Sequence, residues 1–313
     1  GSSVEEETPM QVGDTFEIGS ISKAFTVGVA LQLQEEWVFS LDDPLSQWLP
    51  EMTAQVPNGD QMTLRQLANH NTGIWDYGDP ILEAGATDKS LRQKSFTPEE
   101  IMAYALENGE PQFDPGEDQA YSNTNYILLG MALEAAAGQS MAELYQTRIF
   151  TPLGLNNTFL LEGVPQEGQI VDGYFTAESE YDEEAGLVNS TDWNPTLGWT
   201  AGAIASNAED MALYTEALAS GELFSDPDSL AQMIDFQEVD PIKFGLLTGY
   251  GLGVGVLPLE VAEAWGHIGG TAGFTTLIMT IPEKDTNLVY LTNSADCNVG
   301  LLPSAIEESL LDG

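Results

Sequence analysis

The sequence contains very little cysteine and histidine. Its 313 residues include one cysteine, Cys297, and two histidines, His70 and His267. A single thiol excludes an internal disulfide, and one thiol with two imidazoles makes neither a zinc–thiolate cluster nor a multi-histidine metal site. We therefore expect no metal and no other cofactor, and we interpret Cys297 as a bystander thiol rather than a nucleophile.

Basic residues are equally scarce. Eight Lys and Arg stand against fifty Asp and Glu, which gives a formal net charge of −42. Nucleic acids and anionic membranes bind through Lys and Arg, so neither is expected as a partner. The acids are spread along the chain, and 42% hydrophobic residues separate it from disordered acidic chains. A folded protein adapted to high salt is the favoured interpretation, and an acidic protein without that adaptation is the alternative.

The sequence also lacks long apolar runs. Stretches rich in leucine and alanine are short and interrupted, so no transmembrane helix is predicted. No signal peptide is recognisable at the N-terminus, and no repeat or low-complexity segment is found. The apolar content of the 313 residues is nevertheless sufficient for a sizeable core.

Helix signals dominate the middle of the chain. Residues 20–36 are apolar on every side, which predicts a buried helix. Thr97 and Glu100 form a capping box with Pro98 in the first turn, and this predicts a helix that ends near Asn108. Three more helices are predicted: one at 126–137, one opened by the capping signal at Ser140, and one opened by the capping signal at Ser206 that ends near Gly221.

The pattern changes to strands after about Gly249. Three segments are predicted as strands, the last two joined as a hairpin, and a helix is predicted to close the chain. A helical middle followed by antiparallel strands predicts an α+β fold. The strands are expected at 250–257, 274–281 and 287–292, and the closing helix at 301–311.

Lys23 and Ser20 form the first candidate for chemistry. Lysine is rare here, and Lys23 follows Ser20 by three residues, a spacing that places both side chains on one helix face. A serine hydroxyl needs a base to become a nucleophile, and burial lets a lysine lose its proton more readily. Ser-x-x-Lys alone is a weak motif, but the apolar surroundings of Lys23 argue against the alternative of a helix cap followed by a surface lysine.

Tyr121-Ser122-Asn123 is the second candidate. An adjacent ammonium favours the ionised form of a phenol, so Tyr121 is a candidate proton shuttle. The Asn123 amide is able to donate to a substrate carbonyl and to accept from Lys23. Taken alone, the segment is explained more simply as a helix N-terminus with a core tyrosine and a capping asparagine.

The third candidate is the glycine-rich segment 265–274, which contains His267, Gly269 and Gly270. Glycines beside a strand let a substrate backbone approach closely, and a histidine donates a hydrogen bond or carries charge near neutral pH. The N–H groups of Gly270 and Ser20 are candidates for the two halves of an oxyanion hole. A glycine-rich bulge with a satisfied histidine explains this segment equally well.

In this order the three segments resemble the signature of the serine β-lactamase-like and penicillin-binding-protein-like hydrolases. The Tyr-x-Asn and His-x-Gly forms are closer to class C β-lactamases, D-Ala-D-Ala carboxypeptidases, D-aminopeptidases and related esterases. The resemblance runs from about residue 14 to the end. It is carried by Phe16–Phe25, Tyr121–Asn123 and His267–Gly269, with further matches at 67–74, 152–155 and 202–211.

The resemblance implies a fold as well. It predicts one catalytic domain over residues 1–313, with a sheet part at 1–39 and 246–313 and a mostly helical subdomain at about 40–245. The family normally has a helix and two strands before Ser-x-x-Lys, and the residues before Ser20 are too few for them. We therefore expect an exposed sheet edge, which a second copy of the chain or a separately supplied N-terminal segment would cover.

The resemblance also assigns roles in an acyl-transfer reaction. It implies that Ser20 is the nucleophile and that Lys23 and Tyr121 are the proton-transfer pair. Substrate-binding roles are implied for Asn123, His267, Gly269 and Gly270.

The expected substrates are esters, amides or small peptides with D-residues, in an extracellular or cell-envelope setting. A β-lactamase is the weaker alternative within the enzyme class, because His267 stands where the β-lactamases of the family have a lysine. A catalytically silent relative that serves as a binding or assembly scaffold is the alternative from another class.

Thermal stability is expected to rise with salt. The net charge of −42 makes the compact state repel itself at low ionic strength. The Debye length falls from about 30 Å at 0.01 M salt to about 3 Å at 1 M, so molar KCl should relieve most of the repulsion. The melting temperature across this range tests the expectation, and a flat or falling curve would count against adaptation to high salt.

Overall fold

The computed structural model describes residues 1–4, 7–179, 182–259, 262–297, 301 and 306–307. The helices are α1 (Ser22–Glu35), α2 (Leu45–Trp48), α3 (Pro50–Thr53), α4 (Leu64–Ala68), α5 (Gly78–Thr87), α6 (Lys89–Arg92), α7 (Pro98–Asn108), α8 (Asn123–Ala137), α9 (Met141–Tyr145), α10 (Thr151–Leu153), α11 (Trp199–Gly202), α12 (Ala208–Ser220) and α13 (Pro227–Met233). The strands are β1 (Phe16–Glu17), β2 (Phe159–Leu160), β3 (Tyr174–Ser179), β4 (Asp182–Asn189), β5 (Ile204–Ser206), β6 (Gln237–Glu238), β7 (Gly249–Tyr250), β8 (Gly255–Leu257), β9 (Ala264–Gly270), β10 (Thr275–Ile281) and β11 (Thr286–Thr292).

The largest sheet is antiparallel and has the order β11-β10-β9-β8-β7-β6. β10 is buried along its whole length, and its side chains alternate between two apolar clusters. Ile278 belongs to the cluster that surrounds α1 and α8, whereas Leu277 and Met279 belong to the cluster on the opposite face. Because the strand is covered on both faces, it contains no charged residue and consists of four apolar residues and three threonines.

Helix α1 is the centre of the molecule. It packs against α8, α9, α11 and α13, so nearly every side of it is buried, as the apolar residues on all of its sides predict. Phe25 stacks on Tyr214 with ring centroids 3.6 Å apart and meets Phe150 edge-on at 5.9 Å. Full burial of one such aromatic side chain contributes about 1.5–3 kcal/mol, so the packing holds the start of α1 firmly in place.

Most of the predicted helices are confirmed. The capping box of Thr97 and Glu100 is formed, and α7 ends at Asn108 as expected. The predicted start at Ser140 is also capped in the structure, whereas the start predicted at Ser206 lies one residue further along, where Asn207 caps α12. The closing helix predicted at 301–311 lies almost entirely outside the described residues, and the division into sheet part and helical subdomain stays a prediction.

The strand predictions were incomplete. The single strand predicted at 250–257 is wrong, because the turn around Gly253 separates β7 from β8. Gly253 has a φ of +72°, and a Cβ there would lie 2.8 Å from the carbonyl oxygen of Lys23, so only glycine fits this close approach.

Strand β9 was not predicted at all. Its glycines lower its strand propensity, but close packing requires them. A side chain at Gly266 would collide with the backbone of Ile278, and one at Gly269 with the carbonyl of Ile18. The six described strands of the sheet therefore exceed the three expected from the sequence.

β11 forms one edge of this sheet, and within the described part of the chain no further strand pairs with it. Coverage of that edge by a second copy or a separate segment stays a prediction. Across the same residues, no helix is long and apolar enough to cross a membrane.

Candidate active site

Ser20 lies where β1 turns into α1. β1 pairs with β5, and a single 3₁₀ turn, Gly19–Ile21, connects it to the helix. Gly19 has a φ of +51°, and a Cβ there would lie 2.7 Å from the backbone nitrogen of Gly270. The turn before Ser20 and the end of β9 are therefore in contact, and only glycine allows this approach.

A cavity of about 840 Å³ opens beside Ser20. Among the residues named from the sequence, Ser20, Tyr121, Asn123, His267 and Gly270 line it. Lys23 lies behind Ser20 and Gly269 packs against the carbonyl of Ile18, so neither forms part of its wall. Other parts of the wall come from 76–79, 193–195, 197–198 and 241–247, none of which was named from the sequence.

Lys23 is fully buried, with no solvent-exposed surface. Its Nζ donates to Ser20 Oγ at 2.9 Å, to Asn123 Oδ1 at 2.7 Å and to the carbonyl oxygen of Ala201 at 2.7 Å. Burial lowers the pKa of Lys23 to about 7, and the nearby Asp76 carboxylate opposes this shift. A substantial fraction of Lys23 is therefore the neutral amine near neutral pH, in hydrogen-bond contact with the serine.

Asp76, which the sequence did not reveal, orients Asn123. Its carboxylate accepts the backbone N–H of Asn123 at 2.7 Å and the side-chain Nδ2–H at 3.3 Å. Because Nδ2 is held on this side, Oδ1 is turned toward Lys23. Burial raises the pKa of Asp76, while the hydrogen bonds and Lys23 lower it. The second Nδ2 proton of Asn123 is left for a ligand in the cavity.

Tyr121 lines the cavity, and its buried hydroxyl lies beside the hydroxyl of Ser20 and has no other hydrogen-bond partner among the described residues. Its ring packs on His70 at 4.4 Å and lies 4.9 Å from Lys23 Nζ. Burial raises the pKa of Tyr121 well above its usual range, and the neighbouring Ser20 opposes this shift only partly. The sequence-based expectation of a readily ionised phenol is therefore wrong, because desolvation outweighs the effect of the nearby ammonium.

His267 is neutral. Its Nδ1 lies 2.6 Å from the carbonyl oxygen of Ile268, and its Nε2 lies 3.1 Å from the hydroxyl of Tyr250. Burial lowers the pKa of His267 to about 3, and the charge of Lys23 contributes to the shift. The expectation that His267 carries charge near neutral pH is therefore wrong. Both ring nitrogens are already used within the protein.

The two glycines of β9 have different positions. Gly270 is exposed to the cavity and contacts the turn at Gly19, which brings its segment against that of Ser20. Gly269 is buried against the carbonyl of Ile18 and does not line the cavity. We therefore interpret Gly269 as a packing residue that lets the turn before Ser20 approach β9, not as a substrate contact.

Glu17 is a second residue that sequence reasoning missed. It lies three positions before Ser20 and lines the cavity. Burial raises its pKa to about 7, and the hydroxyl of Thr271 lowers it slightly. No lysine or arginine of the described chain forms an ion pair with it. The strand signal of Phe16–Glu17 is only two residues long, so nothing in the sequence marks this carboxyl as part of the cavity.

A serine hydroxyl in contact with a buried lysine, with a tyrosine and an asparagine beside them, is the arrangement of the Ser-x-x-Lys class of serine hydrolases. A sequence model of the Beta-lactamase family matches residues 1–302, and the chain belongs to this family. The resemblance stated from the motifs and the predicted α+β fold are thereby confirmed.

Several known proteins are similar to this chain. Penicillin-binding protein 4* of Bacillus subtilis is 26% identical over 299 residues, which cover 93% of this chain and 63% of that protein. The structure of a D-stereospecific amidohydrolase from Streptomyces sp. has a TM-score of 0.79 and 32% identity, over 90% of this chain and 83% of that one. A D-amino acid amidase from Ochrobactrum anthropi SV3 has a TM-score of 0.83 and 25% identity, over 99% and 85% of the two chains. The chain spans between about half and two thirds of the length of the curated relatives that it matches first.

The pH dependence of activity should report the protonation of Lys23. Only the amine form accepts the Ser20 proton, so kcat/KM should fall as the pH decreases through about 7. A pH profile of kcat/KM with p-nitrophenyl butyrate measures this. Glu17 titrates in the same range, so Glu17→Gln is the matched control. In this variant kcat/KM should still fall as the pH decreases through about 7. If kcat/KM of Glu17→Gln no longer falls at acid pH, the pH dependence does not come from Lys23.

Proposed function

We propose that this chain is a serine hydrolase that forms an acyl-enzyme at Ser20. The observation that carries the proposal is the 2.9 Å contact between Ser20 Oγ and the Nζ of a fully buried Lys23 whose pKa is lowered to about 7. A lysine of ordinary pKa would hold its proton and would not activate a serine. Here the base is present in its active form at neutral pH.

Acylation then follows from the positions of the side chains. Lys23 takes the proton of Ser20 as Oγ attacks the substrate carbonyl, and the oxyanion forms between the backbone N–H groups of Ser20 and Gly270. Tyr121, which keeps its proton because of its raised pKa, donates it to the leaving group and receives the proton held by Lys23. Water then attacks the acyl-enzyme with the same pair acting in reverse, and the free acid is released.

We propose amides and short peptides of D-amino acids with a free amino group as substrates, and esters of the same acids. Two structural neighbours are a D-stereospecific amidohydrolase and a D-amino acid amidase. The cavity wall carries the carboxyl groups of Glu17, Asp76 and Asp79. The lysine on its rim, Lys243, forms an ion pair with Asp118. This excess of negative charge favours a substrate ammonium and disfavours a substrate carboxylate.

A β-lactamase activity has less support. Binding of a substrate carboxylate beside β9 would need a cation there, but His267 is neutral and both of its ring nitrogens have partners. The alternative of a silent scaffold also has less support, because the Ser20–Lys23 contact is formed and the cavity beside it is open. A chain that only binds or assembles does not need the Ser20–Lys23 contact.

The substrate preference is expected to follow charge. D-phenylalanine p-nitroanilide should be hydrolysed with a kcat/KM roughly tenfold above that of its N-acetyl derivative, which corresponds to about 1.4 kcal/mol of electrostatic preference. Nitrocefin, an anionic β-lactam, should be the poorest substrate of the three. Steady-state kinetics at one pH and salt concentration give the comparison.

Ser20→Ala is the control for this substrate panel. The variant should lose turnover of all three compounds, because each depends on the same nucleophile. Retained hydrolysis in Ser20→Ala would contradict the mechanism, whereas a kcat/KM highest for nitrocefin would reverse the substrate assignment and leave the mechanism standing.

A further inference from the structure

A chain of hydrogen bonds runs behind the cavity wall from α8 to β9. The backbone N–H of Ser122 donates to His70 Nδ1 at 3.2 Å, His70 Nε2 lies 3.3 Å from the hydroxyl of Tyr250, and that hydroxyl lies 3.1 Å from His267 Nε2. The chain ends where His267 Nδ1 meets the carbonyl oxygen of Ile268 at 2.6 Å. None of these bonds contacts Ser20, so the mechanism above does not use them.

The two ends of the chain and the neutral state of His267 determine the direction of the bonds. The Ile268 carbonyl only accepts, so His267 Nδ1 carries a proton; because burial keeps His267 neutral, its Nε2 is unprotonated and accepts from Tyr250. At the other end the Ser122 N–H only donates, so His70 Nδ1 is the unprotonated nitrogen and His70 Nε2–H donates to Tyr250. His70 is therefore neutral, as His267 is. Burial lowers the pKa of each, and the charge of Lys23 adds to the effect.

His70 holds the segment around Tyr121 at three points. Its carbonyl oxygen accepts the N–H of Ala120 at 3.1 Å, and its Nδ1 accepts the N–H of Ser122. Its ring packs on the ring of Tyr121, the residue between these two, with the centroids 4.4 Å apart and the planes tilted by 34°. One fully buried residue thus contacts the backbone on both sides of Tyr121 and the face of its ring.

The backbone of His70 is unusual as well. Its φ is +60°, in the left-handed region that residues with a Cβ avoid. Such conformations persist where the surrounding structure imposes them, and they concentrate at functional sites. This conformation accompanies the arrangement in which the His70 carbonyl and ring both contact the segment 120–122.

We propose that His70, held by Tyr250, is a positioning residue for the reaction: it fixes the Tyr121 hydroxyl at the place where a proton is transferred. The proposal rests on the proposed acyl-transfer function. Apart from Ser20, which is itself a reacting group, the Tyr121 hydroxyl has no partner among the described residues, so its position is set from the ring and backbone end of the residue. A displacement of about 1 Å at a reacting group lowers the rate by up to roughly 100-fold, which makes such a support consequential.

A double-mutant cycle on kcat tests the proposal. Tyr121→Phe should lower kcat by roughly 10²–10⁴-fold, the usual contribution of a proton-transfer group. His70→Asn removes the ring but tolerates the left-handed backbone, and it should lower kcat by roughly 10–100-fold with little change in KM. If His70 acts through Tyr121, the double variant should be about as slow as Tyr121→Phe alone. If the fold-change in kcat of the double variant equals the product of the two single fold-changes, the proposal is overturned.

Tyr250→Phe provides a second cycle if His70→Asn does not fold. This variant keeps the ring but removes the hydroxyl that contacts His70 Nε2. It should lower kcat in the otherwise unchanged protein and have little further effect when Tyr121→Phe is already present. Tyr214→Phe is the matched control, because it removes a buried hydroxyl that has no partner in the described residues and lies against Phe25. Tyr214→Phe should change kcat only slightly, and by the same factor whether or not Tyr121→Phe is present.

Different results would refute the proposed function and the positioning role of His70. Absence of Ser20-dependent turnover in the unchanged protein would refute the proposed function. Normal Ser20-dependent turnover, with a His70→Asn effect that is independent of Tyr121, would refute only the positioning role.

Discussion

Burial of Lys23 without a carboxylate in direct contact is the constraint on which the site depends. An ammonium removed from water is unstable unless fixed groups replace its hydration, and here a hydroxyl, an amide oxygen and a backbone carbonyl do so. These acceptors belong to the start of α1, the start of α8 and α11. The apolar packing around α1 is therefore also what brings the base and the nucleophile together.

The same burial explains the state of the neighbouring groups. His70 and His267 share the desolvated region with Lys23, so each additional positive charge would be costly, and both imidazoles are neutral. Tyr121 keeps its proton for the corresponding reason, because burial disfavours the phenolate. The region behind Ser20 thus contains one titrating base among neutral donors and acceptors, whereas carboxyl groups line the cavity itself.

The sequence predicted the parts of the site that depend on local spacing. Ser20 and Lys23 lie one helical turn apart, and the Thr97 capping box set the start of α7. Asp76 was not predictable in this way, because its partner Asn123 lies 47 residues further along the chain. β9 was missed because its glycines oppose strand formation locally, although Gly269 is needed where Ile18 approaches. The ionisation of Tyr121 was misjudged because the sequence shows a neighbouring charge but not the degree of burial.

The most direct test of the account is covalent labelling of Ser20. Intact-mass analysis after exposure to a fluorophosphonate, followed by peptide mapping, identifies the nucleophile without assuming a substrate. We expect one adduct per chain, on the peptide that contains Ser20, formed much more slowly in Lys23→Ala. No adduct, or an adduct on another residue while Ser20 stays unmodified, would contradict the central claim that the buried lysine makes Ser20 a nucleophile.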